Sequence, residues 1–211
     1  MQSVELKEMP FHEKFEATLD FIDFYESFVP VFVRERLGDE AEVDLRRRWR
    51  EGTEPVSEDA SAKERYESAY RNFISMARTN FAFIREHMDE DGMSEFVETE
   101  VEALKRHNAS LTVTILNLIR TVSKSTAFKM LVNQSAYDLQ WITPGEMTEF
   151  SAERAVIAIP SCKILDYPDT DDICYIGCQQ AFPQWVAEQF KADMSFDRQG
   201  KRCTCTLKPL A

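Results

Sequence analysis

At 211 residues the chain has the length of one domain and can bury a core without metal or disulfide staples. Its net charge of −12 and pI near 4.8 argue against a nucleic-acid partner, which needs clustered cations. No stretch reaches about 18 uncharged apolar residues and the N-terminus lacks a basic-then-apolar pattern, so neither a membrane span nor a signal peptide is expected, and a cytoplasmic location is.

Fifteen Phe point to an aromatic-rich core or a ring-lined cavity. From Phe11 to Leu37 the spacing predicts a helix, with Phe15, Leu19, Ile22, Val29 and Val33 on one stripe. Phe21, Phe24, Tyr25, Phe28 and Phe32 widen that stripe, which suits a buried helix or one that pairs with a second copy or a partner protein. Pro30 should kink or divide it, and Gly38 should end it. Asp39 to Ala60 reads as a short helix around Val43 to Arg50, then a loop. Its run of Arg46, Arg47, Arg48 and Arg50 lies among acids and reads as a solvated or ion-paired face.

Ser61 to Met88 carries the clearest helical stripe: Tyr66, Tyr70, Phe73, Ala77, Phe81, Ile84 and Met88. Gly92 reads as its stop and Ser94 as the next cap. Val97, Val101, Leu104, Leu111, Ile115, Leu118 and Val122 form another stripe, interrupted at Asn108. Glu98, Glu100 and Glu102 read as a wet face. Thr126 to Leu139 reads as one more helix after a break at Ser123 to Ser125.

The texture changes at Trp141. Ala155 to Leu165 is β-branched and reads as a strand, with Glu146 to Phe150 as its hairpin partner. Gly177 to Phe190 reads as a short helix with Pro183 in its first turn, and a hairpin follows, turning near Asp197 to Gly200. The expected architecture is α+β: a helical region, residues 1–140, packed on a small, mainly antiparallel sheet with one short helix, residues 141–211, in one compact domain.

All five cysteines fall in that second part, with the spacing C-x11-C-x3-C-x24-C-x-C from Cys162 to Cys205. In a cytoplasmic chain they should be free thiols, thiolates or metal ligands. Cys203 and Cys205 lie two apart on a strand and so share a face. Converging with Cys162, Cys174 and Cys178, they could hold zinc or an iron–sulfur cluster, although no C-x2-C knuckle is present. Cys178, at the start of the expected helix, could instead be a nucleophilic thiolate favoured by the helix dipole, with Gly177 admitting a ligand close to the backbone. Plain packing of the sulfurs is the alternative. Trp141, Trp185 and Phe182 could wall a pocket for a planar ligand. His12, His87 and His107 have no metal spacing, but His87 and His107 could face each other in a Phe-rich haem pocket, which makes a tetrapyrrole a lesser option.

The strand ending in a cysteine ("AIPSCKIL"), the Cys-led helix ("GCQQAFPQWVAEQF") and the closing hairpin ("FDRQGKRCTCTL") resemble the C-terminal part of the 4-vinyl reductase domain superfamily and the related L-2-amino-thiazoline-4-carboxylate hydrolase-like proteins. The resemblance covers about a quarter of the chain. It implies helices on a small antiparallel sheet, a buried cavity for aromatic, tetrapyrrole or small sulfur-containing ligands, and often a dimer. The segment "ADMSFDRQGK" lacks the Glu-x-x-Cys that helps hold zinc in sensor members.

Three readings follow. The first is a small-molecule-binding protein with an adjoining cysteine metal or thiolate site. The second is a cysteine-dependent hydrolase of a small sulfur- or nitrogen-containing acid, with Cys178 as nucleophile. The third is a helical dimer or assembly factor whose cysteines only pack.

Overall fold

A computed structural model describes residues 7–108 and 111–210. Six helices come first: α1 (Phe11–Leu37), α2 (Asp39–Gly52), α3 (Ala62–His87), α4 (Glu90–His107), α5 (Leu111–Val122) and α6 (Lys124–Asp138). A single 3-10 turn, Leu139–Trp141, leads to β1 (Glu146–Phe150) and β2 (Ala155–Ile159). A π-helical segment, Ile173–Ala181, runs directly into α7 (Phe182–Phe190), and β3 (Ala192–Gln199) and β4 (Arg202–Pro209) close the chain. The four strands are antiparallel in the order β1-β2-β4-β3, so the fold is α+β.

Several boundaries differ from the sequence reading, each for a local reason. α1 runs unbroken through Pro30, whose interior position costs about 3 kcal/mol in an exposed helix. Phe28, Val29, Phe32 and Val33 are all buried around it, and their packing outweighs that cost. Gly38 does end the helix, with φ +92, a conformation open to glycine. α2 is longer than Val43 to Arg50, because Glu42 and Arg46 and the pairs of Arg47 and Arg48 with Asp44 lace its surface at helical spacing. Those bonds, with Arg48 reaching Glu86, make the arginine run an ion-paired face as expected.

Gly92 does not stop α3. It sits in the first turn of α4 and donates its N–H to Oδ1 of Asp89, the N-cap, at 3.0 Å. Ser94, expected as the cap, lies inside α4 and donates its hydroxyl to the Glu90 carbonyl. The stripe from Val97 to Val122 divides at Asn108 into two helices; the side chain of Leu111, part of that stripe, lies outside the described residues. β2 stops at Ile159, just before Pro160, which has no N–H to offer the ladder. The hairpin turn falls at Gly200, φ +63, and Lys201.

Two hydrophobic cores result. The larger joins α1, α3 and α4 and takes in Ile159, Cys162, Ile164, Ile173 and Ile176 from the C-terminal region. The smaller lies between α6 and the inner face of the sheet, with Phe128, Val132, Ile157, Cys205 and Leu207 at its centre. Both cores mix residues from before and after Trp141. Trp185 of α7 packs against both, which places the seam between them at α7.

Candidate functional site

The π-helical segment starts from a covalent constraint. In an α-helix the ring of Pro183 would collide with the carbonyl four residues earlier and leave it without a donor. The chain widens instead, and the Phe182 N–H donates to the Gly177 carbonyl five residues back. π-turns of this kind recur at functional sites. Cys178 is therefore in the middle of a continuous helix, not at a helix N-terminus. The free N–H groups and dipole invoked for a thiolate there are absent. Nor is the backbone crowded at Gly177, where an added Cβ would meet no atom within 4 Å.

The five sulfurs do share one neighbourhood. Cys174, Cys162, Cys203 and Cys205 all act electrostatically on Cys178, and burial and these neighbours push its thiol well above the ordinary value. Burial likewise raises Cys162, takes Cys203 to about 11 and takes Cys205 to about 12. Cys203 and Cys205 stand opposite Ile159 and Ile157 on β2, two apart on one face as expected. Cys162, Cys174 and Cys205 are buried, whereas Cys178 and Cys203 are half-buried. Among the described residues no three His, Cys, Asp or Glu side chains are placed to hold a metal ion. Arg198, opposite Cys203 in the β3–β4 register, lies between the Cys174 thiol and Asp171, whose Oδ1 it bonds at 2.7 Å.

Cys178 also faces a cavity of about 370 Å³ on the seam between the two cores. Trp141, Phe182 and Trp185 line it with Cys178, so the residues singled out as pocket walls and nucleophile meet at one place. Phe21 of α1 completes the wall. Its ring lies 4.8 Å from Trp141 and stacks on Phe182 at 6.0 Å, while Trp185 meets Phe182 edge-on at 5.9 Å. The Trp141 turn is held from behind. Tyr66 donates its hydroxyl to the Trp141 carbonyl at 2.7 Å, and Tyr70 donates to Ile142 at 2.8 Å. Gln140 bridges the same turn to the backbone of Lys7 and Met9. Trp185 is fixed by its N–H to Gln189 Oε1 at 2.6 Å.

Glu100 is 2% exposed and does not form a wet face with Glu98 and Glu102. Burial raises it to about 8, opposed by a hydrogen bond with the Tyr25 hydroxyl, and its Oε2 has no hydrogen-bond partner. Tyr25 is buried as well and feels both Glu100 and Cys178, so this carboxyl belongs to the polar interior behind the thiols. The helical stripe held the signal for it. Position 100 lies three after Val97 and four after Phe96, hence on their buried face. Phe21 was marked among the rings of α1 but not singled out as a wall residue, and Arg198 was unmarked; only the register opposite Cys203 could have pointed to Arg198.

The histidines are not themselves part of the cavity wall, although His107 bonds the lining residue Asp20. His87 stacks on Phe83 at 4.2 Å within α3, and His107 bonds Asp20 at 2.9 Å. His12 is exposed. None of them lines the cavity. The Phe and Tyr side chains of α1 that suggested a partner helix are mostly spent inside: Phe24, Tyr25, Phe28 and Phe32 are buried in the chain's own core. No helix among the described residues is long and apolar enough to cross a membrane.

No family model, curated protein or solved structure matches the chain. The geometry of the site is what any functional reading has to rest on.

Proposed function

We propose that the protein binds a small, largely apolar or planar molecule in the ring-walled cavity, with the Cys178 thiol against it. The observation that carries this reading is the meeting of Trp141, Phe182, Trp185 and Cys178 on one hollow of about 370 Å³. That volume is within the range of small-ligand pockets, about 300–1,000 Å³. Rings already fixed by Tyr66, Tyr70 and Gln189 lose little freedom when a flat ligand slides between them. The resemblance of the C-terminal quarter to ligand-binding members of the 4-vinyl reductase superfamily points the same way. The thiols enter as neutral groups, because burial disfavours the charged form of Cys178, and this opposes the hydrolase alternative, which needs a thiolate.

Tryptophan fluorescence tests the proposal directly. A planar aromatic titrated into the protein should quench Trp141 and Trp185 saturably. Ser135→Trp, which puts a large ring on the cavity wall, should abolish the effect while the fold persists. Quenching that survives Ser135→Trp, or none with any planar probe, would overturn it.

A further inference from the structure

The charges around the cavity select among planar ligands, and this inference rests on the binding function proposed above. The floor is rings and apolar side chains. The polar lining residues are Asp20, Asn108, Gln134, Ser135 and Asp138, with the Cys178 thiol deeper in. Two of them are carboxylates, and among the described residues no Lys, Arg or His lines the cavity. Both carboxylates remain accessible, so they stand at the mouth, not in the interior. Gln134 donates to Asp138 Oδ1 at 2.8 Å and leaves the other oxygen open. His107 reaches Asp20 from outside the lining at 2.9 Å.

We infer that the ligand is a cation: a flat aromatic or apolar molecule carrying a protonated amine or a delocalised positive charge. Two features recognise such a molecule together. The faces of Trp and Phe rings attract a cation through their quadrupoles, and tryptophan does so best. The carboxylates at the mouth place negative charge where the cationic end would lie, with burial raising Asp138 above the ordinary carboxylate value, and no cationic side chain among the described lining residues repels it. An anionic ligand would meet two like charges there and no compensating donor of full charge. A neutral ring would gain only the apolar contact.

Isothermal titration at pH 8 with three tricyclic probes separates the possibilities: 9-aminoacridine, which is cationic, acridine, which is neutral, and anthracene-9-carboxylate, which is anionic. The expected order is cation over neutral over anion, with the cation favoured over the neutral ring by about tenfold. Asp20→Asn with Asp138→Asn should cut that preference to the part the ring faces supply, lowering the cation's affinity by a larger factor than acridine's. Ser135→Trp should abolish binding of all three, which separates the cavity from general attraction to a chain of charge −12. If acridine or the anion binds as tightly as the cation, the charge selection is refuted and the cavity stands as a neutral site. If none of the three binds, both the selection and the binding function fall.

Discussion

The core of α1, α3 and α4 is packed ring against ring, whereas the core beneath α6 and the sheet is smaller and leaves a hollow along its border. Phe24, Phe28, Phe81 and Phe96 in the first touch one another at tilted or edge-on geometries and are at most 5% exposed. The second relies on Ile157, Leu207, Val132 and Cys205, and where it meets the first the rings of Phe21, Phe182 and Trp185 are only half-buried. Rings that pack fully stabilise the fold. Rings of the same chemistry that stop short of full burial make, with the buried Trp141, a wall. Two of the wall rings, Phe182 and Trp185, belong to α7, which follows the π-helical segment without a break.

The sharpest way to break this contrast is in the larger core. Phe81→Ala, at a site with no exposure, should cost about 3–5 kcal/mol in urea unfolding. The cavity substitution Phe182→Ala, at a half-buried wall, should cost clearly less than that and weaken ligand quenching instead. Equal losses from the two would remove the distinction.

Next comes the buried carboxyl. Folding raises Glu100 to about 8, while an unfolded Glu titrates near about 4.3. The folded state keeps a proton that the unfolded chain releases, so this group's contribution is full below the lower value. It falls by about 1.4 kcal/mol per pH unit as pH rises across the window, and levels off above the upper value. Urea midpoints from pH 5 to pH 9 should therefore decline more for the native chain than for Glu100→Gln, with the variant the more stable at the alkaline end. Parallel profiles would mean that the carboxyl is not buried as described.

A subtler comparison uses the thiols. Burial raises Cys178, so iodoacetamide should label it slowly at neutral pH and faster as pH rises. A bound planar molecule should slow labelling of Cys178 more than of Cys203, which is also half-buried but does not line the cavity. Mass spectrometry of the peptides reads both. Fast labelling of Cys178 at pH 7 would favour a thiolate and the hydrolase reading. The smallest effect belongs to the surface. Val122→Ser, at 87% exposure on α5, should change stability by less than about 0.5 kcal/mol.

Much of the fold was legible because one-dimensional spacing maps directly onto helix faces. The stripe on α3, the β1–β2 and β3–β4 hairpins and the shared face of Cys203 and Cys205 all follow from periods of 3.6 and 2. The site was legible in part. Uneven cysteine placement marked the region, and the Trp and Phe residues near it are among the cavity walls. What spacing could not supply was the handedness of local competition. Pro183 does sit in the first turn of α7, as read, but a π-helical segment runs into α7 without a break and puts Cys178 mid-helix. Glu100 read as solvated because acids usually are, yet its helix face is apolar. Phe21 and Arg198 reach the site from elements distant in sequence, and no local pattern carries such contacts.

The most direct test of the central claim is a crystal structure of the protein soaked with an iodinated planar aromatic, located by the anomalous signal of iodine. The proposed function predicts a peak between Trp141, Phe182 and Trp185, beside the Cys178 sulfur. A hollow without a peak, with iodine only on the outer surface, would contradict it.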